Sequence, residues 1–170
     1  MANKKIWMIV AMLLTMLVVS VSVYAQELTS VKFDRFDKAV RTDSSFAYRI
    51  SYMNTLAEQN DLYIIVQGEG FRRAGATVHD AIVPPSATSN HLVGHAVDIN
   101  IRYNGKLYNS TGLEQFSSLP QAIKNFINGC KSNGMRWGGD FSTKDPVHFD
   151  DGLNLNNKSA YDQLYLKYQQ

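Results

Sequence analysis

Between Ala96 and Tyr103 the side chains alternate, with Val97, Ile99 and Ile101 apolar and Asp98 and Asn100 polar between them. A period of two is that of a strand, so the apolar three share a buried face and Asp98 projects away from the core. The same count over Val147-His148-Phe149-Asp150 buries Val147 and Phe149 and turns His148 outward. Helical spacing appears instead at Phe46, Ile50, Met53 and Leu56, predicting a helix capped by Asp43 or Ser44 and running to about Asn60. Ile123, Phe126, Ile127 and Cys130 predict a second helix, opened by Pro120, running to about Ser132 and stopped at Asn133-Gly134. Leu62 to Gln67, Lys106 to Asn109 after an Asn104-Gly105 turn, and Met135 to Trp137 read as further short strands. Residues 68–90, rich in small residues and holding Pro84-Pro85, read as one long irregular loop, of the kind that usually carries function in a compact domain. In the tail from Asn154, Leu164, Leu166 and Tyr168 alternate while Tyr161, Leu164 and Tyr165 fit a helix, so its structure stays open. The mixture predicts a small single-domain α+β fold, a central antiparallel sheet flanked by helices.

The first residues add a targeting signal. Lys4 and Lys5 precede an uncharged apolar run from Ile6 to Val19, and Val23-Tyr24-Ala25 offers a signal-peptidase site. Residues 1–25 are therefore expected to be a cleaved signal peptide, and 26–170 an exported domain in the periplasm or outside the cell. An uncleaved membrane anchor is the alternative, and the only membrane contact the sequence suggests. Without the leader's two lysines, the 17 basic and 15 acidic residues balance. That balance gives no support to nucleic-acid binding. Cys130 is the one cysteine, so no internal disulfide can form and the thiol is expected to be buried and inert.

Chemistry concentrates in two segments, Ser89 to Asp98 and Trp137 to Phe149. Catalytic zinc commonly takes three His or carboxylate ligands and leaves a fourth position for water, a set that His91, Asp98 and His148 would supply. His91 and Asp98 are seven residues apart, so a loop turning into a strand around Gly94 must bring them together. Spacing alone leaves two readings open, zinc on the polar face of the sheet or a polar surface.

Ser-x-His-x-x-Gly-x-Ala-x-Asp at Ser89 to Asp98, followed by Asp-x-x-His at Asp145 to His148, resembles the zinc D-alanyl-D-alanine carboxypeptidase and L-alanyl-D-glutamate endopeptidase family. This family includes vancomycin-resistance dipeptidases and several phage endolysins. Trp137-Gly138-Gly139-Asp140-Phe141 is most similar to the endopeptidase and endolysin branch, and Gly70-Phe71-Arg72 to the family's Gly-aromatic-Arg element. The resemblance spans about Leu62 to Asp150. It implies one zinc ion held by His91, Asp98 and His148, and Asp145 as general base toward a zinc-activated water. Arg72 would stabilise the oxyanion or hold a substrate carboxylate, with Arg73 as the alternative contact. The implied substrate is a peptidoglycan stem peptide or muropeptide.

Other residues carry less. His95 is either beside the site or a solvated loop histidine, and Asp140 either orients a ligand histidine or caps a turn. Ser89 is expected to bond backbone or substrate, Trp137 to line the core or the cleft, and His79 has no assigned partner. The chain departs from the family pattern mainly between Arg73 and Thr88. A non-catalytic, zinc-stabilised module binding cell-wall peptide is the competing reading. A serine or cysteine hydrolase is remote, because no Gly-x-Ser-x-Gly elbow occurs.

Overall fold

The computed structural model describes residues 27–77 and 86–170. The expected signal segment, the start at Gln26, His79 and Pro84-Pro85 lie outside them. Strands β1 (Leu28–Val31) and β2 (Val40–Asp43) form an antiparallel ribbon that leads into helix α1 (Ala47–Gln59). Strand β3 (Tyr63–Gln67) then enters the main sheet, followed by a short 3-10 turn (Asn90–Val93) and the long β4 (Ala96–Tyr103). Beyond come β5 (Lys106–Tyr108), α2 (Ser110–Leu113), α3 (Gln121–Ser132), β6 (Arg136–Trp137) and β7 (His148–Asp150). The chain closes with α4 (Leu153–Asn156) and α5 (Lys158–Tyr168). The main sheet is antiparallel in the order β3-β4-β7-β6, with β5 pairing β4. This is the small α+β domain that the alternation predicts.

One face of the sheet buries Ile64, Val66, Val97, Ile99, Ile101 and Phe149 against Ile50, Met53 and Leu56 of α1 and Ile123, Phe126 and Ile127 of α3. Each such side chain, removed from water, contributes about 1.5–3 kcal/mol. The burial leaves the opposite face of β4 and β7 to Asp98, Asn100, His148 and Asp150. Asn104 and Gly105, at φ 48° and 75°, make the predicted tight turn between β4 and β5.

Several expectations need correction. No side chain caps α1, which starts at Ala47, because Asp43 belongs to β2 and its carboxylate accepts from the Ser45 N–H. Val147 packs against the core as expected but is only half-buried, since it also borders the cleft one residue ahead of β7. The tail is helical: Tyr161, Leu164 and Tyr168 bury one face with Phe71 and Val93, while Leu166 is 64% exposed. Among the described residues no helix is long and apolar enough to cross a membrane.

Candidate metal centre and cleft

Asp98 and His148 are direct partners in the β4–β7 register, so the strands alone set carboxylate beside imidazole. His91 reaches them from the 3-10 turn. Ser89 opens that turn, its hydroxyl accepting from the His91 N–H, and Gly94 ends it at φ 72°. A Cβ on Gly94 would lie 2.5 Å from the backbone nitrogen of Asp43, so the turn can pack on β2 only with glycine there. Ligand atoms of His91, Asp98 and His148 lie within 4.8 Å of one another.

The hydrogen bonds behind the two imidazoles decide which nitrogens face inward. His91 Nδ1 donates to the Gly70 carbonyl at 2.6 Å, which leaves Nε2 toward Asp98 Oδ1 at 3.2 Å. His148 Nε2 donates to Asp150 Oδ2 at 2.8 Å, which leaves Nδ1 2.9 Å from Asp98 Oδ1. The two inner nitrogens lie 3.2 Å apart. Two lone pairs and a carboxylate converging in this way call for a positive charge between them. The pKa directions agree. Burial opposes charge on His148, yet Asp150 and Asp98 hold it up at about 10. Burial likewise opposes charge on Asp98, yet His91 and His148 hold it well below the usual carboxylate range. Two imidazoles and one carboxylate, each fixed from behind, are a donor set that fits zinc.

Asp150 escaped the sequence reading. It bonds His148 and takes both arms of the Arg136 guanidinium at 2.6 Å, and it accepts from the Gly152 N–H. Its parity with His148 was the available signal.

Asp145 lines the same cleft, of about 1020 Å³, as the three candidate ligands. Burial raises its pKa, and the charge of Asp98 adds to this, while His148 and His91 pull the other way. The Asp145 N–H donates to the Gly138 carbonyl, and a Cβ on Gly138 would meet the Asp145 carbonyl oxygen at 2.1 Å. The Trp-Gly-Gly approach is therefore what lets the Asp145 loop close over β6. Trp137 beneath it is core, with its indole N–H bonded to the Pro146 carbonyl.

Arg72 and Arg73 both line the cleft, but Arg73 is tied to the carbonyls of Tyr168 and Gln170. The Gln169 amide binds the carbonyls of Arg72 and Leu92 and accepts from the Ala74 N–H, pinning the arginine segment to the His91 turn. His95 is neither solvated nor part of the candidate metal site: it is buried between Asp43 and Asp151. Asp140 orients no ligand, since its carboxylate pairs with Lys131. Cys130 is fully buried among the core side chains, and burial pushes its thiol pKa up.

No curated protein matches the chain. A family model described as D-alanyl-D-alanine carboxypeptidase matches residues 84–151. That span holds His91, Asp98, Asp145 and His148, whereas Gly70-Phe71-Arg72 lies ahead of it. The match supports a zinc peptidase of peptidoglycan in general. Over residues 84–151, less than half of its length, the chain is similar to the D-alanyl-D-alanine carboxypeptidase family.

Proposed function

We propose that the chain is an exported zinc metallopeptidase that hydrolyses peptide bonds in peptidoglycan stem peptides, as an L-alanyl-D-glutamate endopeptidase or a D-alanyl-D-alanine carboxypeptidase. The observation that carries this reading is the set of three inward donor atoms within 4.8 Å, opening on a cleft shared with Asp145. His91, Asp98 and His148 would hold one zinc ion. Zinc there supplies Lewis acidity, lowering the pKa of water and polarising a carbonyl.

Asp145 takes the proton of the attacking water and returns it to the leaving amine. A raised pKa suits a carboxyl that must both accept and release a proton. Arg72, whose neighbour Arg73 is engaged by the chain's last residues, faces the developing negative charge or a substrate carboxylate. The basic, apolar and small-residue pattern up to Ala25 supports export, and an exported form beginning at Gln26 would bear it out by N-terminal sequencing.

Muropeptide digestion followed by mass analysis tests the activity. The protein should release free D-alanine or new amino termini, and the product masses distinguish the two bonds. Asp145→Asn should keep zinc and lose roughly 10²–10⁴-fold in rate. Zinc binding with no cleavage of any muropeptide would leave the cell-wall-binding module as the function.

A further inference from the structure

Four arginines line the cleft, and two of them are already engaged. Arg136 is held by Asp150 and Arg73 by carbonyls of the last residues. Arg41 and Arg72 have no carboxylate partner among the described residues. Arg41 lies on β2, outside both motifs and outside the span that the family model matches.

Backbone hydrogen bonds on both sides fix its position. The Arg41 N–H donates to the Glu69 carbonyl at 2.6 Å, and its own carbonyl accepts from the Phe71 N–H at 2.7 Å. These bonds hold it in a parallel bridge to Gly70, the residue whose carbonyl fixes His91. Its guanidinium lies over the Phe71 ring, 5.0 Å from the centroid. Phe71 thus carries Arg41 on its face and Arg72 as its chain neighbour. Glu69, whose backbone carbonyl accepts from the Arg41 N–H, has an exposed side chain that forms no ion pair with Arg41. A half-buried planar cation, stacked, lining a cleft and lacking a counter-ion among the described residues is suited to take a ligand carboxylate through two parallel hydrogen bonds.

We propose that Arg41 is a specificity-determining residue that binds a carboxylate carried by the substrate away from the scissile bond, so that the cleft selects acidic peptides. The proposal rests on the peptidase reading of the site. A stem peptide supplies such a group in the free carboxylate of its glutamate.

The test uses the zinc-loaded protein and two synthetic stem peptides that differ only at that glutamate, one with the free carboxylate and one with a carboxamide. Arg41→Gln should raise KM for the acidic peptide about ten- to a hundredfold while kcat stays within about twofold. The amide peptide should bind weakly to wild type and be unaffected by the substitution. Equal losses on both peptides, or none on either, would overturn the proposal and leave Arg41 as packing for Phe71. Arg41→Lys keeps the charge without the planar fork and should fall between; it decides the matter if thermal melting shows that Arg41→Gln does not fold. Should wild type cut neither peptide, the peptidase reading fails, and calorimetric Kd values for the same peptides decide Arg41. A preference for the acidic peptide that disappears in Arg41→Gln supports the proposal, and no preference or no binding refutes it.

Discussion

Neither imidazole at the candidate metal centre is free to turn. Gly70 and Asp150 each accept from the outer nitrogen of a histidine, so the inner nitrogens are presented ready for a cation. Asp98 and His148 were legible because strand parity sets them on the polar faces of β4 and β7, and the register then makes them neighbours. Asp150 shares that parity but was missed, since an acid two positions along a polar strand face reads as surface until its partners are seen. Asp150→Asn removes charge from behind His148 while keeping an acceptor for the Gly152 N–H. It should weaken zinc binding about 10–100-fold, read by chelator competition; unchanged affinity would mean that His148 needs no such support. His95 illustrates the opposite difficulty. Its place between Gly94 and Ala96 gives no sign of Asp43 and Asp151, acids 52 and 56 residues away, that enclose it.

At the level of elements, long strands and amphipathic helices were readable, and the pieces held by tertiary contact were not. β4 runs from Ala96 to Tyr103 as its alternation predicts, and α3 follows Pro120 to Ser132. The tail satisfied both periods, and only packing of Tyr161, Leu164 and Tyr168 on Phe71 and Val93 selects the helix. The β1–β2 ribbon went unread because its strands are four residues each, and β2 is polar at Arg41, Thr42 and Asp43 although mostly buried. The helical tail also bears on the site through Gln169, whose amide joins the Arg72 segment to the His91 turn. Gln169→Ala should cost about 1–3 kcal/mol in urea unfolding and raise KM more than it lowers kcat, since it loosens the cleft wall rather than the reacting groups. An equal stability with unchanged KM would show that the helix holds this wall without the amide.

Across the whole molecule, a buried polar cluster ties the ribbon, the Gly94 turn and the start of the tail together. His95 Nδ1 lies 2.8 Å from Asp151, its Nε2 lies 3.6 Å from Asp43, and Tyr168 Oη donates to Asp43 at 2.5 Å. Burial opposes charge on His95, but Asp151 and Asp43 raise its pKa from 6.5 to about 9. Burial also opposes charge on Asp43, but His95, Ser45 and Tyr168 lower its pKa from 3.8 to about 2. The contribution of His95 is thus complete below pH 6.5 and lost as pH rises through about 9, while that of Asp43 is complete above 3.8 and lost as pH falls through about 2. The stability difference between wild type and His95→Gln, measured by urea unfolding of zinc-loaded protein, should therefore shrink from pH 6.5 to 9; a constant or growing difference would contradict a charged His95.

The central claim is one zinc ion between three side chains drawn from a turn and two strands. X-ray absorption at the zinc edge, on protein whose metal content has been counted, tests it directly. The account predicts one zinc per chain, ringed by imidazole nitrogen and carboxylate oxygen at about 2.0–2.2 Å, and its loss when His91 and His148 are both replaced by alanine. A sulfur neighbour at about 2.3 Å, or zinc retained by that double variant, would contradict it.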